Sequence, residues 1–275
     1  MLDAYHIGFI GGGVMATTMI SGFLQTETFA KDHIHVFDIS EDRTNYFKSV
    51  GIIVNDGITP LVDACDIIVF AVKPDVLLTL LHSPLSMGEY YDRKKLFISI
   101  ACGIKIAQIR DRIHPKTCGI VRLLPNTPCG VLKGICCYTL GPNTDEETDK
   151  LMKNMFGKLG ETLKIPECYM DAVVALAGSG PAIIYMLIEA LADGGVKSGL
   201  PRDLAMNLAA YTVRGAAEMV IQTNRHPAEL KDQVCSPGGT SIAGVEYLEK
   251  KGFRGNVLGA VYAAFCRGKD IGNTE

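Results

Sequence analysis

Residues 6–16 read His-Ile-Gly-Phe-Ile-Gly-Gly-Gly-Val-Met-Ala, a short apolar run that enters a glycine turn and continues into residues suited to a helix. Gly11, Gly13 and Ala16 match the pattern G-x-G-x-x-G/A, which is typical of dinucleotide-binding turns. Gly11 permits the tight turn, Gly13 lets the backbone approach a pyrophosphate, and Ala16 is small enough for the helix to pack on the strand. The stretch therefore predicts phosphates held by free N–H groups at a helix N-terminus.

Apolar runs alternate with helical segments as far as residue 165, which predicts an α/β fold with an N-terminal Rossmann doubly wound sheet. The predicted strands are 5–10, 33–38, 67–72, 96–101, 118–124, 135–140 and 162–165. The predicted helices are 14–26, 41–50, 74–81, 105–113 and 145–159. Continuous apolar runs such as 67–72 indicate strands that are buried on both faces of a parallel sheet.

Helical periodicity without a convincing strand begins at Pro166, so we predict two domains, 1–165 and an all-helical domain over 166–275. A helical segment over 171–176 should end at a break over 178–181, followed by helices over 182–196, 204–223 and 242–250. The helix 182–196 is apolar nearly all round. Because a domain of about 110 residues can hardly surround such helices, we predict that they pack against a second copy of the chain. A monomeric helical bundle is the alternative.

Composition narrows the class of protein further. The chain has 275 residues, 48% of them hydrophobic, and a net charge of −3 without a basic cluster, which argues against nucleic-acid binding. It lacks a signal-peptide pattern and an uninterrupted apolar run of about 18 residues, so we expect a cytoplasmic protein without a membrane span. The nine cysteines include no C-x-x-C pair, which favours free thiols over disulfides or a metal site.

Asp38 ends the second predicted strand, where a carboxylate accepts hydrogen bonds from the adenosine ribose. It would also repel a 2′-phosphate, and this favours NADH over NADPH as the cofactor. The alternative is that Asp38 caps the following helix. Arg43 follows five residues later, within the predicted helix.

Three further turns follow predicted strands, and ligands of parallel sheets bind at the carboxyl ends of strands. The turn 71–74 offers Lys73 either as a catalytic cation or as a solvated loop lysine, and 101–103 is a turn of small residues. The loop 125–128, Pro-Asn-Thr-Pro, would present Asn126 and Thr127 to a nicotinamide carboxamide, or it is an ordinary proline-fixed loop. The residues that we expect to contact the cofactor are Ile10, Gly11, Gly12, Gly13, Val14, Met15, Asp38, Ser40, Ala71, Val72, Lys73, Pro74, Ala101, Cys102 and Asn126.

The loop 236–241, Ser-Pro-Gly-Gly-Thr-Ser, precedes the predicted helix 242–250. Glycines before a helix expose N–H groups that can bind an anion, which suits a small carboxylate substrate. A simple helix cap, with Ser241 as the capping residue, is the alternative. The sequence between Lys164 and Lys197 contains no Lys, Arg or His, so the chemistry would depend on positioning and on the cofactor.

With these motifs in place, the chain resembles the pyrroline-5-carboxylate reductase family over its whole length. The resemblance is carried by residues 8–13, 71–74 and 125–128, by Ala-Gly-Ser-Gly-Pro-Ala at 177–182, by Ala-Asp-Gly-Gly-Val at 192–196, and most specifically by Leu-Lys-Asp-Gln-Val-Cys-Ser-Pro-Gly-Gly-Thr-Ser at 230–241. It implies a C-terminal dimerisation domain and a homodimer, with a decamer of five dimers as the larger assembly. It also implies reduction of 1-pyrroline-5-carboxylate to L-proline by NADPH or NADH.

The resemblance also assigns roles in the 230–241 region. It implies that the loop binds the substrate carboxylate, with Ser241 as the catalytic residue whose hydroxyl contacts the ring nitrogen. The family usually has threonine at that position, so this chain keeps the hydroxyl and loses a methyl group. The residues that we expect to bind the substrate are Val234, Ser236, Gly238, Gly239, Thr240 and Ser241; no metal ligand is expected.

We therefore expect hydride transfer to the imine carbon, which becomes C5 of proline, with the substrate bound as an iminium or protonated by water near Ser241. Three alternatives stay open at this point. A β-hydroxyacid dehydrogenase would need a catalytic lysine that is missing between Lys164 and Lys197. An imine reductase that acts on a different substrate is harder to distinguish from the sequence. A dinucleotide-sensing dimer without activity accounts for residues 11–16 but not for the loop 236–241.

Overall fold

The computed structural model describes Leu2 and residues 4–82, 95–113 and 118–272. The chain divides into two compact units, Met1–Gly178 together with Ala264–Glu275, and Ser179–Ala263. The boundary lies after Gly178, whereas we predicted it after residue 165, because the helical residues that follow Pro166 pack with the sheet. Met170, for example, is buried with Leu124 and Cys137.

The first unit contains an eight-stranded sheet in the described ranges. Its strands are β1 (Ile7–Ile10), β2 (Ile34–Phe37), β3 (Ile53–Val54), β4 (Ile67–Phe70), β5 (Leu96–Ser99), β6 (Gly119–Leu124), β7 (Gly134–Leu140) and β8 (Gly160–Lys164). They lie in the order β3-β2-β1-β4-β5-β6-β7-β8, and only the β6–β7 pair is antiparallel. The strand order reverses between β1 and β4, which is where open parallel sheets bind their ligands.

Helices cover both faces of this sheet. They are α1 (Val14–Gln25), α2 (Glu41–Ser49), α3 (Ile58–Ala64), α4 (Pro74–His82), α5 (Ile106–Arg110) and α6 (Glu146–Phe156). Successive residues of β4 enter different cores: Ile67 and Val69 pack in one, Ile68 and Phe70 in the other. The predicted α/β Rossmann sheet is therefore confirmed. β3 and α3 were not predicted, since a two-residue strand and a short helix containing Pro60 leave almost no periodic signal.

The remaining elements are helical. They are α7 (Met170–Val173), a π-helical turn (Val174–Gly178), α8 (Gly180–Lys197), α9 (Arg202–Thr223), α10 (Pro227–Val234), α11 (Thr240–Lys250) and α12 (Phe253–Gly272). The predicted break over 178–181 is shorter in the structure: Ser179 is a bend between the π-helical turn that ends at Gly178 and α8, which begins at Gly180. Pro181 lies in the first turn of α8, where its missing N–H breaks no helical hydrogen bond.

In the second unit α8 pairs with α9 through small residues, with Ala192, Ala205 and Ala209 buried together. Ala192 is nevertheless the one buried residue of α8. Many large apolar side chains of these helices are exposed, including Met186 at 71% and Tyr211 at 67%. An exposed apolar surface of this extent favours the predicted packing against a second copy of the chain over a monomeric bundle.

By length and composition alone, the helical stretch Glu167–Lys197 could cross a membrane, and 6% of its apolar window is buried. It is the one such stretch in the described ranges. The same apolar surface can be covered by a second copy of the chain.

A cluster of three histidines lies at the amino-terminal side of β1 and β2. The Nε2 atom of His35 is 3.3 Å from Nδ1 of His6, and its Nδ1 atom is 3.1 Å from Oδ1 of Asn55. His6 stacks on His33 with a centroid distance of 4.3 Å. Burial lowers the pKa of His35, the hydrogen bond that its Nδ1–H donates to Asn55 opposes this shift, and the neighbouring His6 and His33 lower the pKa further.

Acid should therefore destabilise the fold through His35. Because its pKa is lower in the folded chain, the unfolded chain takes up a proton more readily, so stability is full above the ordinary pKa of 6.5 and is lost as the pH falls below it. We expect the thermal unfolding midpoint to drop by several degrees between about pH 7.5 and about pH 5.5, and His35→Asn to reduce this drop. Both proteins are compared at equal concentration, and parallel curves would show that His35 does not cause the effect.

Candidate active site

The glycine turn lies at the carboxyl end of β1 and is held by the strands on either side. Gly11 donates its N–H to the carbonyl of Phe37 at 2.8 Å, and Ala71 donates to the carbonyl of Ile10 at 2.8 Å. Gly11 has a φ of +98°, and a Cβ at this position would lie 2.7 Å from the carbonyl oxygen of Ala71. Glycine is thus required here by both the backbone conformation and the close approach of β4.

Gly13 is the N-cap of α1, and no side chain caps the helix. A Cβ at Gly13 would meet nothing within 4 Å, and the first turn of α1 contains no acidic residue. The helix N-terminus therefore faces open space with the positive end of its dipole uncompensated. This arrangement fits a pyrophosphate that approaches the bare backbone.

A cleft of about 340 Å³ opens beside the turn. Its lining joins the turn to the ends of β2 and β4, through Gly11, Gly13, Asp38, Ala71, Val72 and Lys73, together with Ile10, Phe37, Ile39, Ile58, Val76 and Leu80. Five apolar members were not predicted, namely Phe37, Ile39, Ile58, Val76 and Leu80. They lie outside the motif, and an apolar residue at a strand end, in a loop or in a short helix carries no signal of its own for a site. An apolar cleft with a few polar groups suits a nucleoside.

The Asp38 carboxylate accepts the Gly12 N–H at 2.6 Å and the Ser40 N–H at 2.8 Å. Ser40 is the N-cap of α2 and no side chain caps this helix, so the alternative in which Asp38 caps it is wrong. A carboxylate has about four acceptor positions, so these two bonds leave room for ribose hydroxyls. The ribose role of Asp38 stays a prediction.

The other predicted cofactor residues have different surroundings. Lys73 is exposed, and with Pro74 and Cys102 it lines a second cavity of about 810 Å³ in the same unit. Burial raises the pKa of the Cys102 thiol. Asn126 is 8% exposed; its amide donates to the carbonyl of Ala177 at 3.2 Å and accepts the Ile135 N–H at 2.9 Å. This favours the proline-fixed loop for the Asn126 side chain, whose cofactor role stays a prediction.

In the second unit, the loop 236–241 leads into α11, whose N-cap is Gly239. The helix begins at Thr240, two residues earlier than predicted, so the alternative in which Ser241 caps it is wrong. No side chain caps α11, and its first turn has no acidic residue. Gly238 has a φ of +65°, and the Gly239 N–H bonds to the carbonyl of Ser236 at 3.0 Å, which closes the turn.

The loop thus offers a second uncapped helix N-terminus with hydroxyl groups beside it. Ser236, Gly238 and Thr240 are exposed, whereas Ser241 is half-buried. Ser241 and Val234 line one apolar cavity of about 420 Å³ between α9, α10 and α11. All nine cysteines lie in described ranges and are free. No group of His, Cys, Asp or Glu in those ranges could hold a metal ion.

A glycine turn at the reversal point of a parallel sheet, followed by a largely exposed apolar helical unit, defines the class of dinucleotide-dependent oxidoreductases that assemble through their C-terminal helices. Two family models match the chain: NADP oxidoreductase, coenzyme F420-dependent, at residues 6–103, and pyrroline-5-carboxylate reductase dimerisation at residues 167–271.

Relatives match the chain over nearly its whole length. The pyrroline-5-carboxylate reductase of Pisum sativum is 40% identical over 98% of this chain and 97% of its own. The crystal structure of Plasmodium falciparum pyrroline carboxylate reductase with NADP bound is 32% identical, covers 99% of this chain and 100% of its own, and superposes with a TM-score of 0.89. The chain belongs to the pyrroline-5-carboxylate reductase family, which confirms the resemblance found in the sequence. An imine reductase from Myxococcus stipitatus, at 20% identity and a TM-score of 0.51, shares the fold.

Two glycine substitutions should separate binding from folding. Gly13→Ala places a methyl group where the structure has free space, so the unfolding midpoint should stay within about 2 °C while dinucleotide affinity falls about tenfold or more. Gly11→Ala should lower both the unfolding midpoint and the dinucleotide affinity, because its Cβ meets the Ala71 carbonyl. Both variants are measured by calorimetry, once for thermal unfolding and once for NADH binding. Unchanged NADH affinity in Gly13→Ala would contradict the assigned phosphate site.

Proposed function

We propose that this chain reduces 1-pyrroline-5-carboxylate to L-proline with NADH or NADPH, the last step of proline biosynthesis. The observation that carries the proposal is its relation to pyrroline-5-carboxylate reductases over almost the entire length of both chains, at 40% identity in the case of Pisum sativum. The chain is an oxidoreductase, and its cofactor is a nicotinamide dinucleotide, which supplies the hydride when bound.

Residues of the N-terminal unit hold that cofactor in our proposal. The free N–H groups at the start of α1 bind the pyrophosphate, and Asp38 accepts hydrogen bonds from the adenosine ribose. The turns around Lys73, Cys102 and Asn126 contact the nicotinamide end. Since Asp38 would repel a 2′-phosphate, we propose a preference for NADH. The NADP found in the Plasmodium falciparum relative makes this preference a specific property to test.

Residues of the 236–241 loop bind the substrate in our proposal. The substrate carboxylate accepts N–H groups at the start of α11, where the helix dipole favours an anion. Ser241 supplies a hydroxyl to the ring nitrogen, which orients the imine carbon for hydride transfer. No residue of the loop is charged, so the ring nitrogen receives its proton before binding or from water near Ser241.

The chain forms homo-oligomers, consistent with its match to the dimerisation model at residues 167–271. We propose a homodimer through the apolar surface of α8 and α9, and a decamer of five dimers as the larger assembly. We keep the functional division into residues 1–165 for the dinucleotide and 166–275 for dimerisation and substrate. The nine free thiols support a reducing compartment, the cytoplasm, and we propose no role on membranes or nucleic acid.

The direct test is NADH and NADPH oxidation by the purified protein with racemic 1-pyrroline-5-carboxylate, with proline identified as the product. Consumption that depends on the substrate is expected with both cofactors. An imine reductase of different specificity would instead turn over other cyclic imines and leave this substrate untouched. Binding of NADH without turnover of any imine would favour the dinucleotide-sensing dimer.

Removal of the Ser241 hydroxyl should impair turnover without affecting the cofactor. We expect Ser241→Ala to lower kcat by about tenfold or more, the effect of one hydrogen bond to a polar or charged group, with the dissociation constant of NADH changed less than about twofold. Ser241→Thr, which keeps the hydroxyl, is the matched control and should retain activity. Equal turnover in Ser241→Ala and the unmodified protein would remove Ser241 from the mechanism.

Removal of the Asp38 charge should shift cofactor choice. We expect Asp38→Ser to raise the ratio of kcat/KM for NADPH over NADH by about tenfold, because repulsion of the 2′-phosphate is lost. Asp38→Glu keeps the charge and should leave the ratio nearly unchanged. A preference of the unmodified protein for NADPH in the same assay would show that Asp38 does not set cofactor choice.

A further inference from the structure

The carbonyl groups of the glycine turn accept hydrogen bonds from a side-chain network that includes Arg43, a residue to which the motif assigns no role. Arg43 lies on α2 and donates from Nε to the carbonyl oxygen of Gly12 at 2.6 Å. Its Nη2 atom donates to the Thr17 hydroxyl, which in turn donates to the carbonyl oxygen of Gly13 at 3.0 Å. Arg43 thus bonds directly to one carbonyl of the turn and, through the Thr17 hydroxyl, to the next, which also accepts the Thr17 N–H at 3.0 Å.

The contacts to the carbonyl groups also set the direction of the Gly13 and Val14 N–H groups, because of the geometry of the peptide bond. In a planar trans peptide the C=O and N–H groups point in opposite directions. The Gly12 carbonyl shares its peptide with the N–H of Gly13, and the Gly13 carbonyl shares its peptide with the N–H of Val14. Holding both carbonyls on the Arg43 side therefore turns these two N–H groups to the other side, and Gly13 lines the cleft.

The guanidinium is itself fixed in place. Its central carbon lies 5.2 Å from the ring centroid of Tyr46 and 5.4 Å from that of Phe47. Phe47 is fully buried, and it lies against Gly12, where a Cβ would come 2.6 Å from the Phe47 ring. A cation that bonds to a carbonyl oxygen also polarises that peptide and strengthens its N–H as a donor.

We propose that Arg43 is a positioning residue for the dinucleotide pyrophosphate, acting through the N–H groups of Gly13 and Val14. The proposal rests on the phosphate site proposed above. It differs from a role as a cation for the 2′-phosphate, because the two bonds of Arg43 run to the turn and to α1. It predicts equal losses for NADH and NADPH, since both carry the same pyrophosphate.

The test uses ligands that differ in the pyrophosphate alone. ADP and adenosine are measured as competitive inhibitors against NADH in the unmodified enzyme and in Arg43→Met, which keeps an apolar stem over Tyr46 and Phe47. We expect the inhibition constant of ADP to rise about tenfold and that of adenosine to change less than about twofold. The KM values for NADH and NADPH should rise by similar factors, with kcat and the KM of the substrate nearly unchanged.

Two further variants keep the test decisive if Arg43→Met is poorly folded. Thr17→Val removes only the bond relayed to Gly13. It should raise the inhibition constant of ADP about threefold and leave that of adenosine nearly unchanged. Arg43→Lys retains the charge but has a single donor group. Its inhibition constant for ADP should lie between those of the unmodified enzyme and Arg43→Met. Arg202→Met, on the surface of α9, is the control for loss of an arginine and should behave as the unmodified enzyme.

The outcomes separate the two proposals. Equal losses for ADP and adenosine, or unchanged binding of both, would overturn the positioning role. A loss confined to NADPH would overturn it in favour of a 2′-phosphate contact. Failure of the unmodified enzyme to bind ADP and NADH at all would overturn the phosphate site itself.

Discussion

The contact between Gly11 and the backbone of Ala71 is the constraint on which the N-terminal unit depends. A Cβ at Gly11 would lie 2.7 Å from the Ala71 carbonyl oxygen, at a φ of +98° that few other residues adopt. β1 and β4 are the neighbours between which the strand order reverses. The close approach that requires glycine therefore also places the start of α1 beside the crevice of the sheet.

The helix N-termini of the two proposed ligand sites share three features, which α3 has as well. Both α1 and α11 have a glycine N-cap, no side-chain cap and no acidic residue in the first turn. By contrast, α6 is capped by Asp145, whose side chain accepts the Thr148 N–H, and its first turn contains Glu146, Glu147 and Asp149. The helix α6 thus satisfies its first N–H groups with its own side chain, whereas α1 and α11 leave them free where a pyrophosphate and a carboxylate are proposed to bind.

Much of the fold could be predicted from the sequence, because buried strands and amphipathic helices carry strong periodic signals. The failures have local causes. The π-helical turn Val174–Gly178 continues the helical backbone as far as Gly178, so the expected break is reduced to Ser179. For the site, the motif predicted Gly11 and Gly13. It could not predict the bonds of Arg43 or the burial of the Asn126 amide, which depend on how α2 and the π-helical turn pack.

In the function proposed above, this chain transfers hydride from a nicotinamide dinucleotide to the ring imine of 1-pyrroline-5-carboxylate. The most direct measurement is transfer of deuterium from NADH labelled stereospecifically at C4 of the nicotinamide, with the product analysed by NMR and mass spectrometry. We expect proline that carries one deuterium, at C5, from one of the two C4-labelled forms. Proline without deuterium from either form, or deuterium at another carbon, would contradict it.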